Sequence, residues 1–125
     1  MSDDAGKAFA PAPIKPPISF DDLSKIDVRV GTILAVGDVE GSTKLVRLRV
    51  SFGDHVRTIL AGMKRERENP REIEGRQALF VVNLEPRLMA GEVSEGVLFD
   101  VGYADGLTPA LAVTEREVPD GARVG

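Results

Sequence analysis

The alternation of apolar and polar residues along residues 27–39 constrains the fold most strongly. Five side chains at every second position are predicted to share one face of a strand: Val28, Val30, Thr32, Leu34 and Val36. Gly31 lies in the middle, where a missing side chain permits sharp coiling or a close backbone approach. A long strand with one apolar face therefore opens the ordered part of the chain.

Further strands are predicted at residues 44–51, 55–60, 77–83, 97–103 and 108–114. In the first of these, Val46, Leu48 and Val50 alternate with polar or exposed neighbours, so they are expected to face the core. Residues 61–69 are charged and helix-compatible, and Pro70 suits the first position of a second short turn. Before all the strands, Ser19 and the acidic residues that follow it predict a short capped helical turn that ends near Lys25.

Three strands, a helical connection and two or more further strands predict an all-β domain. The order matches the OB-fold, a five-stranded Greek-key barrel, here with short helices and a C-terminal extension. Other small barrels remain open, and the helical connection after the third strand favours the OB-fold. A chain of 125 residues with 42% apolar residues fits one such core. Residues 1–17 are rich in Ala and Pro and are predicted to be a flexible tail, with residues 18–125 as the domain.

The distribution of charge bears on the partner more than the total does. The net charge of −4 argues mildly against nucleic acid. Residues 44–87, however, hold ten Lys or Arg against six Asp or Glu, a local balance of +4. The flanking segments, residues 1–43 and 88–125, carry −3 and −5, which restores the total of −4. A basic middle between acidic ends keeps both a phosphate-binding surface and an ordinary mixed-charge surface open.

Catalytic, metal and membrane functions find little support in the residues. The chain has no cysteine and a single histidine, His55, so a zinc site and a Ser-His-Asp triad are not expected. The spacing in residues 37–44 differs from that of a phosphate-binding loop. No apolar run is long enough to cross a bilayer, and no signal peptide is recognisable. We therefore expect a non-catalytic cytoplasmic protein without a cofactor or metal.

Residues 83–97 are predicted to form a loop between two buried strands. The loop is rich in polar groups that can meet a ligand, namely Asn83, Arg87, Ser94 and Glu95. Loops held by a rigid scaffold often carry function. An ordinary surface connection is the alternative interpretation.

Several motifs in order are similar to those of the tRNA-binding OB domains. They are DVRVGTI at residues 27–33, KLVRLRV at 44–50, RTILAG at 57–62, GRQ at 75–77, and NLEPR followed by GEVSEGV within 83–97. The family includes free-standing structure-specific tRNA-binding proteins, the C-terminal domain of methionyl-tRNA synthetase and the CsaA-like secretion chaperones. The resemblance covers about residues 19–125.

The resemblance implies a homodimer that binds tRNA by its shape, with the C-terminal parts at the interface. The binding residues carried over by position are Lys44, Arg57, Asn83, Arg87, Ser94, Glu95 and Val97. The cations can neutralise phosphates, and the amide and hydroxyl can bind a base edge or a 2′-hydroxyl. Few aromatic residues are present, which favours recognition of backbone and shape over base stacking.

Other interpretations remain for these residues and for the whole chain. Lys44 and Arg57 also fit plain exposed strand charges, Asn83 a strand-end cap, and Ser94 with Glu95 a pair that stabilises a turn. A CsaA-like chaperone that binds unfolded polypeptide would use apolar side chains such as Leu88, Met89 and Val93. A structural assembly domain is a third interpretation, and an aminoacyl-tRNA synthetase is a further candidate partner.

Overall fold

The computed structural model describes residues 9–125. Part of the predicted tail, residues 1–8, lies outside this range. Residues 9–18 contain no helix or strand, and their side chains are exposed. The Oγ of Ser19 accepts a hydrogen bond from the Asp22 N–H at 3.1 Å and caps helix α1 (Phe20–Ser24) as expected.

Within residues 9–125, nine strands follow, of which five form the main sheet. They are β1 (Val28–Asp38), β2 (Val46–Ser51), β3 (Val56–Ala61), β4 (Gln77–Val81), β5 (Arg87–Met89), β6 (Glu92–Ser94), β7 (Val97–Leu98), β8 (Asp100–Val101) and β9 (Ala110–Leu111). Two 3₁₀ turns, Pro70–Ile73 and Tyr103–Asp105, interrupt the series.

The main sheet is antiparallel throughout and has the order β3-β2-β1-β4-β7. The two short pairs β5-β6 and β8-β9 lie outside it. Because the sheet curls and β7 returns towards β3, the architecture is the OB-like barrel that the sequence predicts. The chain is mostly β, with few and short helices.

Strand β1 is shared between different neighbours along its length. Its first half pairs with β4 from Val28 to Thr32, and its second half pairs with β2. The free side of the first half receives the C-terminal segment, since Gly121 N–H donates to Val30 O at 2.8 Å and Val124 N–H donates to Val28 O at 2.9 Å. The C-terminal extension is therefore bound to the barrel.

Two features of β1 explain its curvature. A Cβ on Gly31 would lie 2.5 Å from Val50 Cγ1, so the close approach expected there is confirmed. The register with β2 then shifts between Ile33 and Ala35. This irregularity turns Ile33 into the core, fully buried, and leaves Leu34 51% exposed. The prediction that Leu34 shares a face with Val30 and Val36, which are buried, is wrong because a bulge resets the alternation.

The core lies inside the curled sheet. Its cluster consists of Ile33, Val36, Val46, Leu48, Val50, Phe52, Ile59, Met63, Ile73, Ala78, Phe80 and Leu98. The inward face predicted for β2 is confirmed, since Val46, Leu48 and Val50 are all buried. Ile73 enters the core from the 3₁₀ turn between β3 and β4 and joins these residues in the cluster.

Three secondary-structure predictions are corrected. Residues 61–69 form turns rather than a helix, because Met63 is drawn into the core and Lys64 N–H donates to Lys44 O at 3.1 Å. The strand predicted at residues 97–103 divides into β7 and β8, and its end becomes a 3₁₀ turn after Gly102, whose φ is 99°. Residues 108–114 keep only the two-residue strand β9, which pairs with β8 instead of joining the main sheet.

Candidate functional site

The predicted loop at residues 83–97 contains a hairpin of its own. Strands β5 and β6 pair with Arg87 opposite Ser94 and Met89 opposite Glu92. Ala90 and Gly91 turn the chain with φ values of 49° and 82°. Two residues with positive φ are typical of a tight hairpin turn that matches the twist of its strands. The hairpin places Arg87 on an element of defined geometry.

An ion pair connects this hairpin to the barrel. Arg47 on β2 donates to both carboxylate oxygens of Glu92, with Nε 2.6 Å from Oε1. A two-pronged contact fixes the direction as well as the distance between the two side chains. The hydrogen bond from Arg47 holds the pKa of Glu92 below its usual value, and the same bond raises the pKa of Arg47.

Ser94 and Glu95 bind the open edge of β3. Ser94 is 3% exposed; its Oγ accepts the Leu60 N–H and donates to Gly96 O, both at 3.0 Å. Glu95 N–H donates to Thr58 O at 2.9 Å, and Glu95 Oε1 accepts the Thr58 N–H at 3.0 Å. These bonds join β3 to the segment that leads into β7, so both residues contribute to closing the barrel.

Asn83 connects helix α1 to the end of β4. Its Oδ1 accepts the Asp27 N–H at 2.8 Å, and its Nδ2 donates to Lys25 O at 2.6 Å. Both polar atoms of the amide therefore have partners within the chain. The side chain is still exposed at one end of the sheet.

Arg57 is half-buried and has several partners inside the chain. Its Nη1 donates to Val82 O at 2.7 Å and to Glu95 O at 3.1 Å, and its guanidinium lies 5.8 Å from the centre of the Phe52 ring. Its Nε donates to His55 Nε2 at 2.9 Å. His55 Nδ1 in turn lies 2.6 Å from Asp54 Oδ1, and this hydrogen bond lowers the pKa of Asp54.

The other four predicted site residues bond to the chain through their side chains, whereas Lys44, Arg87 and Val97 are exposed without such side-chain bonds in the described part of the chain. Within residues 9–125, neither Lys44 nor Arg87 has a side-chain hydrogen bond or an ion pair. Val97 is 44% exposed and pairs with Val81 in the main sheet. These three residues, with Ser94, line one groove of about 1130 Å³.

The groove combines apolar surface with charge. Its apolar members include Leu60, Met63, Leu84, Met89 and Leu98. Its charged members are Lys44, Arg65, Arg67 and Arg87, with Glu66, Glu85 and Asp100. Arg67 is neutralised by Glu72, at 2.6 Å, whereas Arg65 donates only to the hydroxyl of Thr43 at 2.9 Å. An elongated ligand with negative charge and apolar or planar parts fits this combination.

Sequence reasoning did not identify Arg47, Glu92, Arg65 or Tyr103, although all four lie at or beside the groove. Alternation predicts that Arg47 points outwards. No local pattern predicts its ion pair with Glu92, which lies 45 residues further along the chain. Tyr103 does not belong to any of the sequence motifs described above. Its place in the groove depends on the division of the fifth strand, which the sequence analysis missed.

Metal binding and membrane crossing find no support in the described part of the chain. Residues 9–125 contain no group of three or more His, Cys, Asp or Glu side chains placed to hold a metal ion. Within the same residues, no helix has both the length and the hydropathy needed to cross a membrane.

Comparison with known proteins identifies the family of this chain. The model of the family described as a putative tRNA-binding domain matches residues 28–123. The methionine–tRNA ligase of Chlorobium chlorochromatii is 44% identical over 92 residues, which is 74% of this chain and 13% of the ligase. That of Parabacteroides distasonis is 39% identical over 112 residues, or 90% of this chain and 16% of the ligase. The chain thus spans about a seventh of the length of these relatives.

Solved structures agree with the fold. The MetRS-related protein from Pyrococcus horikoshii has a TM-score of 0.81 at 34% identity, covering 89% of this chain and all of that one. The chaperone CsaA from Bacillus anthracis has a TM-score of 0.78 at 27% identity, covering 88% of this chain and all of that one.

Proposed function

Because this chain belongs to the putative tRNA-binding domain family, we propose that it binds tRNA and catalyses no reaction. The part that matches this chain makes up 13% and 16% of the two ligases, and the proposal for it is a binding role. A cytoplasmic location follows from the ligand, and a synthetase partner fits the same proposal.

One observation carries the proposal. Lys44 and Arg87 are exposed and, within residues 9–125, free of internal partners, and both line the same groove. Side chains that hold no internal bond can meet phosphates without first losing a partner. Phosphate contacts supply most of the affinity for nucleic acid and carry no sequence information, so they suit recognition of tRNA by shape.

The other predicted site residues support the binding face in a different way. Asn83, Ser94 and Glu95 use polar atoms to hold the chain together, and Arg57 holds the same region. We assign them to positioning Val97 and the β5–β6 hairpin beside the tRNA. Arg57 is half-buried, so a contact with phosphate would have to come from the solvent-facing part of its guanidinium.

A homodimer is part of the proposal. The C-terminal part exposes several large apolar side chains outside the groove, with Phe99 at 40%, Val101 at 57% and Val113 at 54%. Large apolar side chains exposed in one part of a chain are candidates for an interaction site. A second copy of the chain that covers these residues would bring two grooves together, and light scattering of the purified protein measures whether it does.

Binding to tRNA and to a DNA duplex of equal length, each over a range of salt concentration, tests the function. We expect tighter binding of tRNA and an affinity that falls as salt rises. Equal affinity for the two nucleic acids, without dependence on salt, would reject the proposal.

The second candidate function is binding of unfolded polypeptide. Leu88 is 72% exposed and Val93 is 49% exposed on the hairpin, and two CsaA chaperones share the fold with TM-scores of 0.78 and 0.75. Competition separates the candidates. A permanently unfolded protein that binds tightly and is not displaced by tRNA would favour the chaperone function.

A further inference from the structure

Tyr103 brings an aromatic ring to the groove that holds Lys44 and Arg87. The residue is 58% exposed, so its ring is available to a ligand. Among the groove-lining residues it is the only aromatic one within the described range 9–125. The scarcity of aromatic residues in the sequence therefore does not deprive the groove of a ring.

The backbone fixes the position of Tyr103. The 3₁₀ turn lies between Gly102 and Gly106, which adopt φ values of 99° and 73°. Gly106 N–H donates to Tyr103 O at 3.1 Å, and the Tyr103 N–H donates to Asp100 Oδ1 at 3.3 Å. Because these bonds order the turn, its backbone loses little conformational freedom when a ligand binds to the ring.

Three cations of the groove are available to phosphates. Lys44 and Arg87 have no internal partner within residues 9–125, and the side chain of Arg65 donates only to the neutral hydroxyl of Thr43. Glu66, Glu85 and Asp100 also line the groove, so we place the phosphates at these three cations and not along its whole lining. Cations beside an exposed ring match the two parts of a nucleotide, namely a phosphate and a planar base.

We propose that the groove binds an unpaired nucleotide of the RNA, with its base stacked on Tyr103 and its phosphates beside Lys44, Arg65 and Arg87. The proposal rests on the RNA-binding function proposed above and adds a single-stranded component to recognition by shape. Bases in a duplex are already stacked on each other, whereas unpaired bases can stack on an aromatic side chain. The ligand class is therefore single-stranded RNA rather than a duplex.

The chain provides its own reporter for the test. It has one tyrosine and no tryptophan, so its intrinsic tyrosine fluorescence comes from Tyr103 alone. The probe is a single-stranded RNA of about eight nucleotides, compared with the same strand made entirely of abasic nucleotides. We expect saturable quenching by the RNA and much weaker quenching by the abasic strand. Free N-acetyl-tyrosinamide in a parallel titration corrects for light absorbed by the RNA.

Variants separate stacking from general effects. Tyr103→Ala is expected to weaken binding of the RNA about tenfold, the loss of one stacked base. Tyr103→Phe keeps the ring and is expected to stay close to the unmodified protein. Phe20→Ala is the matched control, because Phe20 is 89% exposed and lies outside the groove. Circular dichroism verifies that each variant is folded.

Each outcome decides between the proposals. One outcome is that tRNA binds, and that Tyr103→Ala binds tRNA and the single-stranded RNA as tightly as Phe20→Ala does. The stacking proposal is then wrong, and the proposed binding of tRNA stands. The stacking proposal is also overturned if the abasic strand quenches the fluorescence equally, or if an unfolded polypeptide displaces the RNA. If tRNA itself does not bind, the proposed function is wrong, and the stacking proposal that rests on it is rejected as well.

Discussion

Arg47 on β2 and Glu92 on β6 join the β5–β6 hairpin to the barrel through a two-pronged ion pair. The pair lies beside the groove, since the same hairpin carries Arg87 and Met89 into its lining. A Cβ on Gly37 would lie 3.2 Å from Arg47 Nη1, so the absence of a side chain at Gly37 leaves room for the guanidinium. The ion pair thus adds a contact between charged residues to the hydrogen bond by which Ser94 on β6 holds the hairpin to Leu60 on β3.

Breaking this ion pair should loosen the hairpin. We expect Glu92→Gln to weaken tRNA binding several-fold, because Arg87 is then held less firmly, and to lower the Tm only slightly since both side chains are partly exposed. The charge-swapped pair Arg47→Glu with Glu92→Arg should recover part of the affinity. Fluorescence anisotropy with labelled tRNA measures both. Glu115→Gln, in an exposed ion pair with Arg116, is the matched control, and an equal effect there would count against the coupling.

Stability should fall in acid in a way that depends on the carboxylates with lowered pKa. The pKa of Glu92 is below its ordinary value of 4.5 because Arg47 donates to it, and the pKa of Asp27 is below 3.8 because Arg29 does. A carboxylate with a lowered folded pKa stabilises the protein above its unfolded pKa, and the contribution disappears as pH falls through the folded pKa. We therefore expect the Tm to decline below about pH 4.5.

Thermal melts between about pH 7 and about pH 3 test this dependence. Glu92→Gln should lower the Tm near neutral pH, and the difference from the unmodified protein should shrink as the pH falls below 4.5 towards the lowered folded pKa of Glu92. A constant difference between the two proteins across that range would contradict the assigned cause.

The main strands are predictable from the sequence because alternation is a local signal. The alternation along β2 is regular, and its three apolar residues are all buried in the core: Val46, Leu48 and Val50. Leu34 departs from the alternation because of the bulge beside it. That bulge depends on how β1 passes from one partner strand to the other, which is not a local property of the sequence. The roles of Ser94 and Glu95 are similarly non-local. Their residue types fit a ligand contact or a turn equally well, and only the position of β3 shows that they bind its edge.

Removing the Ser94 hydroxyl should destabilise the fold. In Ser94→Ala the buried Leu60 N–H loses its acceptor, which costs about 1–3 kcal/mol. Urea unfolding measures the change in the free energy of unfolding. Ser24→Ala is the control, because the Ser24 hydroxyl bonds only within the exposed helix α1. A change no larger than that of the control would show that Ser94 contributes little to closing the barrel.

A side chain at Gly31 should be poorly tolerated. The Cβ of Gly31→Ala would lie 2.5 Å from Val50 Cγ1 and 2.9 Å from Phe52 Cε1, inside the core. Overpacking of this kind costs about 1–3 kcal/mol. Gly62→Ala is a close control, since its Cβ would meet nothing within 4 Å. Similar urea midpoints for the two variants would show that β1 can shift to accept a methyl group.

The free cations of the groove should determine how tRNA binding depends on salt. Each phosphate neutralised by a cation releases counterions, so removing one contact should lower the slope of log affinity against log salt by about 0.7–1. We expect this change in Lys44→Ala and in Arg87→Ala, with weaker binding and unaltered unfolding. Arg116→Ala is the control, because Arg116 is exposed, lies outside the groove and pairs with Glu115. If all three variants keep the original slope, the phosphates meet another surface, and the assignment of Lys44 and Arg87 to tRNA is wrong.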